Sequence, residues 1–260
     1  MILRRVIKHF RNQEWTAIGI DFLIVVLGLL VATQLTNWNS TRQDNARGDI
    51  YSKRLKSELR FELQYANSLL TYNIATLDAG RVAYVGLKGN PELDDETTLI
   101  NAFRASQYNW YERRRASFDE IVASGALGLV SDQAMREAAI SIYSTPLFDI
   151  LMQEGQNSKY RDLFRMTIEP DLHDTLGREC GDRDLPSPGA ALGLLTLNYD
   201  CTLNTNEKEI AAAVKALRSD PDIIRALRLR NAQTSGRISD IPLAIHTSGL
   251  TTLFLEESAP

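Results

Sequence analysis

Twenty consecutive residues, Phe22 to Thr41, carry no charge. At about 1.5 Å of rise per residue, a helix of that length spans roughly 30 Å, the thickness of a bilayer's hydrocarbon core. Its centre, Phe22 to Ala32, holds no strongly polar group, and Trp15 and Trp38 bracket it as an aromatic belt would. Residues 15–38 are therefore expected to form a transmembrane helix with the lipid bilayer as partner. A buried core helix rarely stays uncharged for so long. A cleaved signal peptide is the rival reading, since Phe22 to Ala32 has the length of an h-region. Against it, the leading segment is long, Leu30-Val31-Ala32 is a poor cleavage site, and the apolar run continues to Leu35 and Trp38. The Arg4-Arg5 pair suggests twin-arginine export, which Asp21 and the missing cleavage site oppose.

Orientation follows the distribution of positive charge. Arg4, Arg5, Lys8 and Arg11 precede the helix, and Arg42, Arg47, Lys53, Arg54 and Lys56 follow it. The two counts nearly balance. The short, densely basic tail of residues 1–14 is the harder segment to translocate, so it is placed in the cytoplasm, with Arg4 and Arg5 beside Trp15 and Trp38 as interface anchors. Residues 39–260 then form an extracytoplasmic domain, which suits a cysteine pair. One stripe of the anchor is unusual. Asp21, Val25, Gly28, Ala32, Leu35 and Asn39 fall on one face. Gly28 and Ala32 are a small-residue pair that lets a second helix approach closely. Asp21 either sits wet at the interface or, with Gly28 and Ala32, marks a contact with a second copy or another membrane protein.

The run from Asp21 to Gln34, followed by Asn37-Trp38-Asn39, resembles a family of uncharacterised bacterial single-pass membrane proteins. In that family an acid opens the helix, a Gly sits mid-span, and Ala-x-Gln then Asn-Trp-Asn close it. A second block, Ser117 to Gly125 with Leu129-Val130-Ser131, Ala134-Met135-Arg136 and Ile142-Tyr143-Ser144, is similar too. Together these cover about a quarter of the chain. Asp21 stands where the family usually has Glu, and Thr33 where it usually has Leu. Residues 175–204 have no counterpart. The resemblance implies topology without chemistry: a bacterial inner-membrane protein crossing once, with its C-terminal domain in the periplasm.

After the anchor the spacing stays helical. Leu55, Leu59, Leu63, Ala66, Leu70, Ile74 and Leu77 repeat with an 11-residue period. This predicts one long helix over 40–87, with Gly48 and Gly80 as candidate points of interruption. Its stripe packs either within a bundle or in an oligomeric coiled coil. Further helices are expected at 95–113, from a Ser117/Glu120 capping box to Gly125, from a cap at Ser131, from Pro146, and up to Pro170. A last helical region begins at Asp220-Pro221 and breaks around Gly236 or Pro242. Residues 171–204 read as a loop carrying Cys180 and Cys201, which are expected to tether it as a disulfide, with two free buried thiols as the alternative. No sheet is predicted. The fold class is all-α: a transmembrane helix continuing into a long helix and an antiparallel bundle.

Chemistry-bearing patterns are scarce. After position 38 there are 25 basic and 31 acidic residues, a poor balance for binding nucleic acid. Arg113-Arg114-Arg115 reads as a solvated face. Glu169, Asp171, His173 and Asp174 are dense in ligand atoms, yet read as a solvated helix end and not as a metal site. Ser124 lies at a helix end, with no nucleophile-elbow pattern around it, and no phosphate loop or zincin motif occurs. Glu58 and Glu62 are one turn apart, but a carboxylate pair needs a pocket before it can act. No cofactor, metal or catalytic residue is expected. The chain reads as a non-enzymatic, membrane-tethered helical domain for scaffolding, sensing or association with a membrane partner. The alternatives are an extracytoplasmic bundle that binds a small ligand, and an enzyme with an unrecognised site.

Overall fold

The computed structural model describes residues 15–185 and 194–255. The basic tail with Arg4 and Arg5 lies outside the described residues, as does part of the expected loop. The protein is all-α, with one minimal β ladder. Its described residues divide into two compact units: 15–53 with 121–131, and 54–120 with 132–185 and 194–255.

Helix α1, Trp15–Leu87, is continuous. No interruption occurs at the candidate points Gly48 and Gly80, because both glycines serve packing. A Cβ on Gly48 would run into the Leu129 carbonyl, and one on Gly80 into the Asn231 side chain. In the first unit, Gly48, Tyr51, Ile121, Ala126 and Val130 are buried, and the Arg47 guanidinium lies over the Tyr51 ring at 5.9 Å.

In the second unit, Leu55, Leu59, Ala66 and Leu77 of α1 are buried as the period predicts. Leu63 and Leu70 are only half-buried and Ile74 is exposed. Glu62, Tyr65, Tyr72, Asn73 and Thr76 are buried in the same row. The row packs within the bundle. Helix α2, Asp95–Ala105, is capped by Asp94, which accepts the Thr97 N–H at 2.7 Å. It stops eight residues short of the expected 113. The Ser106 and Gln107 carbonyls turn instead to Arg161 and Arg230, at 3.0 Å each.

Helix α3 is Ala116–Ala123. Glu58 of α1 reaches its first turn and accepts the N–H groups of Ser117 and Phe118 at 2.8 and 3.2 Å. Gly125 follows with φ 66°, a left-handed conformation that favours glycine. Helix α4, Gln133–Ser144, is capped by Asp132 instead of Ser131, with the Met135 N–H donating at 3.0 Å. Its expected inner face of Met135, Ala138, Ala139, Ile142 and Tyr143 is buried, and Ala134 is not. Helices α5, Leu147–Gln156, and α6, Lys159–Thr167, follow.

Helix α7, Pro170–Cys180, corrects the loop expected from residue 171. Pro170 opens the helix, Leu172, Leu176 and Cys180 recur every four residues as its buried edge, and Gly177 sits on the open side. Beyond it, strands β1, Arg183–Asp184, and β2, Leu195–Thr196, pair antiparallel, a short ladder the sequence reading lacked. Cys180 and Cys201 form the expected disulfide, with Cα atoms 5.5 Å apart.

Helix α8 is Glu207–Ser219, and α9, Pro221–Thr247, begins at the expected Asp220-Pro221 cap. It runs unbroken through Gly236 and Pro242, where a break was expected. Both residues face outward, while Ile241 and Ile245 are buried and Arg237 bridges Glu154 and Asp240. Helix α10, Leu250–Leu255, follows Gly249. The main core of this unit joins Leu99 and Phe103 of α2, Tyr160 and Phe164 of α6, Leu172 and Leu176 of α7, Val214 and Leu217 of α8, and Ile223 and Leu227 of α9.

Candidate functional site

Two regions depart from the ordinary surface or core of a soluble bundle. The first is the apolar start of α1. Phe22, Val25 and Trp38 are 70%, 69% and 65% exposed, and Leu23, Ile24, Leu27, Leu29, Leu30, Val31 and Leu35 are exposed with them. The most apolar window has a mean hydropathy of 2.3 and none of it is buried in the protein. Leaving one such side chain in water forgoes roughly 1.5–3 kcal/mol, and patches of this extent mark an interaction surface. This helix is long and apolar enough to span a membrane. Three of its hydroxyls are satisfied within the helix. Thr33, Thr36 and Thr41 donate their hydroxyls to the carbonyls of Leu30, Ala32 and Asn37 at 2.8–2.9 Å, as a helix in lipid requires. Trp15 and Trp38 lie exposed at its two ends. Asp21 and Ala32 are also exposed, and a Cβ on Gly28 would meet open space, so the proposed contact face is open along its length.

The second region is a set of charges inside the bundle. Glu62, only 1% exposed, accepts Tyr111 O–H at 2.8 Å and the Arg113 Nε and Nη2 donors at 3.2 and 3.0 Å. Arg113 also donates to the Ile142 carbonyl at 2.7 Å and lies over the Tyr143 and Phe148 rings. Burial pushes the Glu62 carboxyl above its ordinary range, while Arg113 and Tyr111 pull it back in part. Burial likewise raises the phenols of Tyr65, Tyr111, Tyr143 and Tyr160. The reading of Arg113-Arg114-Arg115 as a solvated face is corrected here. Arg113 is an internal ion-pair partner, and Arg114 stacks 3.8 Å from the Phe61 ring centroid. The chain extends after α2, which turns this segment inward where helical periodicity would have faced it to water.

The carboxylates noted in the sequence, Glu58 and Glu62, do different work. Glu58 caps α3, and Glu62 holds Arg113 beside a cavity of about 20 Å³, room for roughly one water. A substrate does not fit there, so this cluster fixes the fold. A recess of about 450 Å³ opens beside Arg54, Ser57 and Arg113 to Ser117, but Arg54 pairs with Glu120 and Arg115 with Asp119. Its charge is already balanced.

His173 sits edge-on to Phe103, with its ring centroid 5.8 Å away, and burial lowers its proton affinity, with Arg165 adding to the effect. No group of three potential metal-ligating side chains occurs among the described residues. Ser124 donates to the Ile121 carbonyl at 3.2 Å. The disulfide is fastened from α2. Arg104 donates to the Cys180 and Tyr199 carbonyls at 3.2 and 2.9 Å and stacks on the Tyr199 ring. The Tyr199 hydroxyl donates to the Gly181 carbonyl.

Fold and surface together define a disulfide-bearing helical bundle whose first described helix is of membrane-spanning length. No protein-family model, curated protein or solved structure matches it.

Proposed function

We propose that this chain is a single-pass bacterial inner-membrane protein of the uncharacterised family its anchor resembles, with a cytoplasmic N-terminus and a periplasmic bundle. The observation carrying this reading is the wholly exposed apolar start of α1. The disulfide supports the oxidising side of the membrane for the bundle. Its role is non-enzymatic: it scaffolds, senses, or associates with a membrane partner through the Asp21, Gly28 and Ala32 face. The open Gly28 groove is the geometry such a helix pair uses.

Full-length protein expressed in a Gram-negative host is expected to resist alkaline extraction from membranes, and alkaline phosphatase fused to its C-terminus is expected to be active. Extraction into the supernatant, or an inactive fusion of normal abundance, sinks the topology. Cysteine introduced as Ala32→Cys is expected to give a disulfide-linked dimer, or a crosslink to another membrane protein, that Gly28→Leu abolishes. A monomer in both would refute the contact face. The second reading, a periplasmic bundle that binds a small ligand and acts through a partner, is favoured by guanidinium groups buried between α1, α6 and α9.

A further inference from the structure

Two arginines of the second unit lie side by side in its interior. Arg161 of α6 donates from Nη1 to the Ser106 carbonyl, and Arg230 of α9 donates from Nη2 to the Gln107 carbonyl, both at 3.0 Å. Those carbonyls are consecutive, which brings two like charges together. Arg230 is 7% exposed, and its Nε is buried without an acceptor among the described residues. Arg161 is half-buried and stacks 4.7 Å from the Tyr108 ring centroid. Arg165, one turn along α6, adds positive charge to the field at Arg161.

The nearby acids do not balance this group. Asp182 feels Arg161, but its Oδ1 takes the Tyr72 hydroxyl at 2.7 Å. Glu154 feels Arg230, yet Arg237 binds both of its oxygens at 2.8 and 2.6 Å. Each of these two acids thus takes its hydrogen bonds from another residue, and neither forms an ion pair with Arg161 or Arg230 among the described residues. A buried guanidinium with an idle donor costs several kcal/mol unless an acceptor reaches it. The planar forks of arginine match the oxygens of a phosphate, and two forks with a third charge behind them suit a dianion better than a single carboxylate. Burial weakens the hold of both Arg161 and Arg230 on their protons, the effect a bound anion would reverse.

We propose that Arg161 and Arg230 form an anion site for a tetrahedral oxyanion of the phosphate class, either free phosphate or the phosphate end of a small phosphomonoester. The site deepens the ligand-binding reading and does not depend on membrane anchoring, which the extraction and fusion experiments test separately. Tyr72 and Asp182 border Arg161, with the Tyr72 hydroxyl committed to Asp182.

The test uses the full chain in neutral detergent, with ionic strength held constant by sodium chloride. Inorganic phosphate and glycerol phosphate are titrated while thermal unfolding and binding heat are followed. A saturable rise in Tm and saturable heat are expected with at least one of them, and none with chloride. Phosphate binding alone identifies the free ion as the ligand; preference for glycerol phosphate identifies the ester. Arg230→Met is expected to abolish saturation, and Arg161→Gln to weaken binding about tenfold or more, the loss of one charge-assisted hydrogen bond. Should Arg230→Met fail to fold, the half-buried Arg161→Gln decides. No saturable response to either anion, or an undiminished response in Arg161→Gln, overturns the proposal.

Discussion

Replacing Glu62 by Leu removes the acceptor of three hydrogen bonds and leaves Arg113, whose side chain is 9% exposed, as a buried unpaired cation. Arg113 retains the Ile142 carbonyl and its aromatic neighbours, but no carboxylate. Breaking a buried pair from one side costs about 3–5 kcal/mol. For a domain of this size about 2–4 °C of Tm is lost per kcal/mol, so a fall of roughly 6–20 °C is expected. The double variant Glu62→Leu with Arg113→Met removes both charges and keeps apolar volume, so most of the loss is recovered. Near-ultraviolet circular dichroism reads the cluster directly, because Tyr65, Tyr111 and Tyr143 surround it. A single-variant cost below about 1 kcal/mol, or a double variant as unstable as the two single losses added together, would refute the argument that the pair is internal and mutually dependent.

Burial holds the Glu62 carboxyl above its ordinary 4.5, so the native state keeps this proton longer than the unfolded chain does. Its stabilising contribution is full below 4.5 and declines as pH rises through the native value; denaturant titrations from pH 4 to 7 are expected to show this slope, and Glu62→Gln to flatten it. Breaking the Cys180–Cys201 bridge, which joins positions 21 apart, with reductant or as Cys201→Ser is expected to cost about 3 kcal/mol, and an unchanged Tm under reductant would count against that. Glu58→Ala leaves the first turn of α3 uncapped and is expected to cost about 1–2 kcal/mol by urea unfolding, with Glu58→Gln recovering part of it.

The long apolar helix, the all-α class, the cysteine pairing and the Asp220-Pro221 start were legible because each is written locally, in a run of apolar residues, a period or a cap. The inward row of α1 was only half legible. Leu55, Leu59 and Leu77 follow their period, but Glu62, Tyr65 and Tyr72 turn inward to meet Tyr111, Arg113, Asn109 and Asp182, partners tens to over a hundred residues away. Periodicity carries no record of such partners. The reach of Glu58 to the first turn of α3 was illegible for the same reason, since Glu58 comes from another helix. Glycine misled at three positions. At Gly48 and Gly80 it marks a close approach and not a break, and Gly236 sits on the exposed side of α9. The one signal that could have exposed the arginine seam is the pairing of Arg161 and Arg230 with apolar neighbours on their own helices, and taken alone it is weak.

Five of the nine tyrosines, Tyr65, Tyr72, Tyr111, Tyr143 and Tyr160, have phenols that burial keeps from ionising in the usual alkaline range. The chain therefore carries its own colour indicator. As base is added, the absorbance of these five rings should stay that of the neutral form until the helices part. It should then rise together in one step, reporting collapse of the interior without any added dye.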